Sequence, residues 1–265
     1  MNASTGFDLL APGAATAFVL TMARIGGLVL VAPMYSARTL PATLRTALVI
    51  VLAILLQPMA RTHASPTLAI TPATIIGESL IGFIVGFGAA LLIAAAEAAG
   101  ELLSAQIGLS GAALMDPLSL QQSTALGQFM NLLALTLLLA GNGHLVMLDA
   151  LAGTFQHLPI GGALQLPDGM QATVLMGSEL FALGFKFASP VIAVIMVTNV
   201  ALAVLSRAAP QLNILQLAFP VQIAVGLFAF TASIPIIAGW FIGWDVTYSG
   251  MLTRLVSVFA GAGGR

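Results

Sequence analysis

The sequence predicts an all-α, polytopic integral membrane protein. Three observations predict it. Of 265 residues, 59% are hydrophobic and only 6% are charged, where a soluble domain carries near a quarter. Mean hydropathy is +1.07. The apolar residues fall in long runs, not in the alternating segments of about 10 residues that build membrane β-barrels. Eight basic and nine acidic side chains leave a net charge of −1. So few charges cannot cover a soluble protein of this size. Eight scattered basic residues also form no patch for phosphate backbones. An ordinary soluble enzyme, a disordered chain and a nucleic-acid binder are thereby excluded.

A membrane-crossing helix needs about 20 mostly apolar residues. Six stretches meet that length: Ala14 to Met34, Pro41 to Met59, Thr74 to Ala96, Ala125 to Leu148, Leu180 to Leu205, and Ile214 to Ile242. The first seventeen residues hold no Lys or Arg, so the basic start of a cleavable signal is missing and the first stretch is expected to be retained. There is no cysteine, which removes disulfides, thiolate catalysis and Cys-based metal sites.

Turn chemistry separates the stretches. Pro33 and Pro41 bracket a short turn, and Pro58, Pro66 and Pro72 mark the next connection. Leu166-Pro167-Asp168-Gly169 reads as a turn, with Pro presetting φ and Gly supplying a left-handed position. Pro210 sits in a short link that makes the last two stretches a helical hairpin. Alternating ends put Arg38, Arg45 and Arg207 on one side and Arg61, Arg254 and Arg265 on the other. That near-tie in the positive-inside rule suits a chain held inside a larger assembly.

The connection from Glu97 to Thr124 is the oddest segment. It is too long for a tight turn and too apolar for an ordinary solvent loop. Ala105 to Met115 is small and Gly-containing, and Asp116-Pro117 stops it. Apolar non-helical backbone at membrane depth is tolerated when buried in protein or lining a cavity. Two readings stand: a re-entrant or pore-blocking loop, or a short amphipathic helix at the interface.

Charges inside apolar stretches are functional candidates by default. Arg24, beside Gly26 and Gly27, calls for protein surroundings rather than lipid. Glu78 lies early in its stretch, where a helix dipole favours an anion. Lys186 lies well inside the fifth stretch; Glu179 is two turns away, long for a direct pair, so Lys186 is expected to snorkel or to face a partner. Glu97 and Glu101 share a helix face and read as a helix end reaching water, with a proton or cation site as the sharper reading. His63, His144 and His157 have no metal-pairing spacing. Walker A, GxGxxG and GxSxG patterns are absent, so neither an enzyme activity nor a cofactor or metal is expected. Gly82-xxx-Gly86 and Gly239-xxx-Gly243 would let helices approach closely. Eleven methionines, Met115, Met130 and Met196 among them, supply adaptable surface.

Several phrases together resemble one family. The hairpin link reads Arg207-Ala-Ala-Pro210-Gln211-Leu212-Asn213-Ile214. The loop reads Gln106-Ile-Gly108-Leu109-Ser110-Gly111-Ala-Ala-Leu114-Met115-Asp116-Pro117, with Gln122 beyond it. Arg24 with Pro33 and Pro41, Glu78 with Gly82 and Gly86, and Gly143-His144 ahead of Pro159 lie around them. The chain resembles the FliR/SctT family of type III export-gate proteins over essentially its whole length.

That resemblance implies a non-enzymatic subunit, present as one copy, in a helical assembly with several FliP-like and FliQ-like subunits. An FlhB-like protein would wrap the closed gate, and unfolded export substrates would pass through it. It implies location in the bacterial inner membrane at the flagellar basal body, and contact with lipid. Residues 1–170 would be the FliP-like part and 171–265 a FliQ-like hairpin with its tip near 207–214. The segment near 106–122 would plug the pore. Gly111 and Leu114 stand where the family often has aromatics, which implies a slimmer, more flexible plug. Val221-Gln222-Ile223 stands where virulence relatives usually carry Lys-Ser, so the flagellar branch is preferred to the virulence one. A small-solute transporter, using Glu78, Glu97, Glu179 and Lys186 as coupling groups, is the less favoured alternative; it lacks the internal repeat common in such folds.

Overall fold

The computed structural model describes residues 13–36, 40–64, 69–109, 124–162, 166–211 and 213–261. Among them it contains helices and no strand: α1 (Ala14–Val31), α2 (Ala42–Thr62), α3 (Pro72–Ile107), α4 (Ala125–Ala140), α5 (Gly143–His157), α6 (Leu166–Ala208), α7 (Ile214–Ile242) and α8 (Trp244–Phe259). Helices α1, α2, α3, α6 and α7 are long and apolar enough to cross a membrane, and α4 with α5 would make a sixth crossing if they form one interrupted span.

The ends of these helices follow local chemistry. Pro72 opens α3, where its missing N–H costs nothing. Thr71 and Thr74 close a reciprocal box: Thr74 N donates to Thr71 Oγ1 at 3.1 Å, and Thr71 N donates to Thr74 Oγ1 at 2.9 Å. Thr124 caps α4 by accepting from Gly127 N, as an N-cap hydroxyl does. Pro58 in α2, Pro190 in α6, and Pro220 and Pro235 in α7 lie inside helices. Each removes one ladder hydrogen bond, a loss that membrane helices tolerate when neighbours satisfy the freed carbonyl.

Four sequence expectations are corrected. Pro58, expected in the connection after the second stretch, lies inside α2. Leu166 to Gly169 is not a turn but the first turn of α6. Its Pro sits where a helix accepts it, and Asp168 complements the N-terminal dipole. The segment from Glu97 to Ile107 is helix, the last three turns of α3; Ala, Glu and Leu are strong helix formers, and the charges do not mark an end. The stretch expected from Ala125 to Leu148 breaks at Gly141-Asn142, where Asn142 takes a left-handed φ of 55°. One helix was not expected. α8 buries Trp244, Tyr248, Leu252, Leu255, Val256 and Phe259, a stripe at helical spacing.

The chain divides into two compact units. The first comprises Met1–Leu91, Asn142–Ser178 and Trp244–Arg265. Within it α1 meets α3 backbone to backbone. A Cβ on Gly82 would lie 1.7 Å from the Arg24 carbonyl oxygen, and one on Gly86 would lie 2.9 Å from that of Leu28. The Gly82-xxx-Gly86 pair thus provides close approach. Leu20, Ala60, Phe155 and Ile160 form a buried cluster in the same unit. Tyr248 of α8 donates its hydroxyl to the Val85 carbonyl, and its ring lies against Gly88.

The second unit comprises Leu92–Gly141 and Glu179–Gly243. Here Gly100 of α3 meets the backbone of Leu126 and Gly127 in α4, and Gly184 of α6 meets the Ala95 backbone. Phe187 stacks on Trp240 and Phe241, tying α6 to α7. A Cβ on Gly239 or Gly243 would meet nothing within 4 Å, so this second small-residue pair makes no close crossing within the described residues. Only 17%, 22% and 28% of the most apolar windows of α2, α6 and α7 are buried, against 61% of α3. Those three helices therefore present large apolar faces that lipid or neighbouring subunits must cover.

Candidate functional site

Two polar constructions and one exposed hairpin carry the candidate residues. The first construction lies inside the first unit. Arg24 is fully buried in α1. Its Nε donates to Glu78 Oε2 at 2.6 Å, its NH1 to Thr154 Oγ1 at 3.0 Å and its NH2 to the Leu158 carbonyl at 3.0 Å. The guanidinium carbon also stands 4.4 Å from the Phe155 ring centroid. Glu78 Oε1 accepts from Gly161 N at 2.9 Å. Gly161 reaches that position with φ 73°, a conformation open to glycine at little cost. One ion pair thus joins α1, α3, α5 and the turn after α5. The planar fork of Arg suits this multi-armed role; a Lys point charge would not.

The second construction lies in the second unit, at the crossing of α3 and α4. Glu101 Oε1 accepts from Thr124 N at 2.7 Å, and Glu97 Oε2 accepts from Asn131 Nδ2 at 2.7 Å. Thr124 Oγ1 accepts from Gly127 N at 3.1 Å. A Cβ on Gly127 would strike Glu101 Oε1 at 2.2 Å, so glycine is needed for the carboxylate to reach. Six residues beyond Glu101, α3 ends, and a paired C-terminal cap follows: Leu109 N donates to Ser104 O at 2.9 Å and Gly108 N to Ala105 O at 3.3 Å. Gly108 takes φ 87°, as this motif requires. The two glutamates, expected at a helix end in water, each hold a partner: Glu97 holds Asn131 of α4, and Glu101 holds Thr124, the N-cap of α4. An apolar groove of about 400 Å³ opens beside them, lined by Ala95, Ala98, Ala99, Leu102, Phe181 and Phe185.

Of the loop residues named from sequence, Gln106 lies exposed on the last turn of α3, Gly108 forms its cap and Leu109 follows it. Ser110, Gly111, Leu114, Met115, Asp116, Pro117 and Gln122 lie outside the described residues. At the hairpin, Arg207, Pro210, Gln211 and Asn213 are all exposed. Lys186 is exposed too, with Nζ 5.0 Å from the Trp240 ring centroid, a cation–π contact in place of a pairing with Glu179. Thr124, Asn131, Thr154 and Gly161 were not legible as partners, because each is many positions from the charge it serves.

Residues 15–244 match the family model of bacterial export proteins, family 1. The chain belongs to that family. This bacterial export protein is similar to the flagellar biosynthetic protein FliR of Escherichia coli strain K12, with 34% identity over 81% of this chain and 83% of the relative. It is similar to FliR of Pectobacterium carotovorum, with 31% identity over 83% and 85%. It is also similar to FliR of Caulobacter vibrioides, with 30% identity over 84% and 92%. An export protein with these relatives is a component of the flagellar export apparatus, and its apolar helices embed it in a membrane.

Proposed function

We propose that this export protein is a non-enzymatic subunit of the flagellar protein-export gate in the bacterial inner membrane. It assembles with several FliP-like and FliQ-like subunits and with an FlhB-like protein, around the path taken by unfolded export substrates. Residues 1–170 serve as the FliP-like part and 171–265 as the FliQ-like hairpin, whose exposed tip at Arg207, Pro210, Gln211 and Asn213 meets a partner. The segment from Gln106 to Gln122 plugs the pore.

The observation that supports the plug is the clamp at its base. Glu101 holds the Thr124 backbone N–H at 2.7 Å, and Gly100 brings α3 against α4 at the same level. A segment whose two ends are held together at a fixed stem suits occlusion of a pore. Apolar lining excludes water and ions while closed. The uncovered faces of α2, α6 and α7 support burial among other subunits.

Two measurements test this. The tagged chain, solubilised from membranes in mild detergent, should bring down FliP-like and FliQ-like proteins in multi-copy excess; recovery of the chain alone would overturn the gate reading. Replacing Ala105 to Leu114 with a short Gly-Ser stretch should raise membrane ion conductance without preventing assembly. Unchanged conductance in an assembled apparatus would overturn the plug.

A further inference from the structure

The hairpin of α6 and α7 carries a polar pair in a largely apolar exposed region. Gln222 Nε2 donates to Asn199 Oδ1 at 2.6 Å. Asn199 is exposed and Gln222 half-buried. One helical turn away, Met196 on α6 and Phe219 on α7 are 63% and 56% exposed, and Val200, next to Asn199, is 64% exposed. The pair sits well inside the hairpin: Asn199 lies nine residues before the end of α6 and Gln222 eight residues after the start of α7, about 12 to 14 Å along either helix from the end that faces the tip.

Two amides together hold four N–H groups and two carbonyl oxygens. Their mutual bond uses one of each, whichever way the amides are turned. Three N–H groups and a whole carbonyl oxygen stay without a partner among the described residues. Lipid tails offer neither donors nor acceptors, and an unmatched amide in hydrocarbon is costly. The backbone of an approaching helix is already paired within itself. What matches is a helix that brings amide or hydroxyl side chains to this level, and such cross-helix bonds act as glue between apolar faces.

The geometry points to Asn199 and Gln222 as the polar lock of an intersubunit interface: they dock a transmembrane helix of a different subunit carrying amide or hydroxyl side chains at the matching depth, with Met196, Val200 and Phe219 as the apolar surround. This rests on the reading of the chain as a subunit of a larger apparatus. It adds which face is covered and by what chemistry.

The natural absence of cysteine makes the test clean. Met196→Cys in the full chain, loaded with a thiol-linked photo-crosslinker in native membranes, should give one discrete adduct with another apparatus subunit. Adding Asn199→Leu and Gln222→Leu together should cut that adduct about tenfold, the scale of one to two cross-helix hydrogen bonds. Replacing both amides with apolar groups is close to neutral for the hairpin itself, so the chain should stay in the membrane at its normal level. Asn199→Gln should restore much of the adduct.

An adduct unchanged by the double substitution would overturn the proposal, as would adducts with lipid, with a second copy of this chain or with a translocating substrate alone. Co-purification of other subunits with the unsubstituted chain separates the two levels. If they co-purify and the double substitution changes nothing, only the lock fails. If nothing co-purifies, the subunit reading fails and the lock with it.

Discussion

Arg24 and Glu78, 54 positions apart, form a fully buried ion pair with Nε 2.6 Å from Oε2. A buried pair is not free stability, because both ions lose their water. Here almost every polar atom is satisfied: three Arg24 nitrogens donate and both Glu78 oxygens accept. The pair therefore acts as a staple that sets how α1, α3 and α5 meet. Removing one member strands the other. Arg24→Ala or Glu78→Ala should each lower stability by about 3–5 kcal/mol. Arg24→Met with Glu78→Leu should cost less than either single change. Thermal unfolding in detergent measures both, and a double variant worse than each single one would overturn the staple.

Neighbouring glycines in α1 should respond in opposite ways. A Cβ on Gly27 would lie 2.1 Å from the Ser79 carbonyl oxygen, while one on Gly26 would meet nothing within 4 Å. Gly27→Ala and Gly82→Ala both drive atoms into backbone, which cannot turn aside, and should destabilise by several kcal/mol or leave the chain degraded. Gly26→Ala should be neutral or stabilising by up to about 1 kcal/mol, the helix propensity difference. Steady-state membrane levels of the three variants give the ranking, and equal levels would contradict the close crossing.

Glu101 offers a test of the α3–α4 clamp apart from the proposed plug. Glu101→Ala leaves the Thr124 N–H without its acceptor, a loss of about 1 kcal/mol. Glu101→Gln keeps an acceptor oxygen there. If the proposed plug hangs from this clamp, ion leak through the assembled apparatus should rise in the Ala variant and stay near normal in the Gln variant, with chain levels unchanged in both. Equal leak in the two would mean that the clamp does not govern the seal.

The helices were legible because lipid-scale apolar runs are local properties of a sequence. Their lengths were less so. Glu97 and Glu101 looked like an end because a charge in an apolar run suggests water, yet α3 continues to Ile107 and both carboxylates are satisfied by Asn131 and Thr124. The α8 stripe from Trp244 to Phe259 has clear helical spacing, but Asp245, Arg254 and several hydroxyls lower its hydropathy below that of a span. Arg24 and Glu78 each stood out as costly charges, and Gly82-xxx-Gly86 as a close crossing. Nothing local joins Arg24 to Glu78, because a pairing across 54 positions is a property of the fold. The same holds for Asn199 and Gln222, which only the hairpin register brings together.

The two tyrosines give the chain a predictable response to alkali. Burial holds the Tyr248 phenol far above the ordinary tyrosine range, and half-burial raises Tyr35 in the same direction. Tyr248 donates to the Val85 carbonyl and Tyr35 to the His144 carbonyl at 3.2 Å, so both act only as phenols. The folded chain thus binds a proton that the unfolded chain releases above about pH 10. The stabilisation is fully present below that pH and is lost as pH rises through the window between the unfolded and folded values. For Tyr248 the loss should run at about 1.4 kcal/mol per pH unit above 10. Tyr248→Phe should be less stable at pH 8 by about 1 kcal/mol, the worth of one hydrogen bond, yet should fall less steeply between pH 10 and 12. Tyr35→Phe, with the more accessible ring, should flatten the curve less. Unfolding temperatures across that range decide it: parallel curves for the unsubstituted chain and Tyr248→Phe would mean that Tyr248 is ionised in the folded state and not held as a donor.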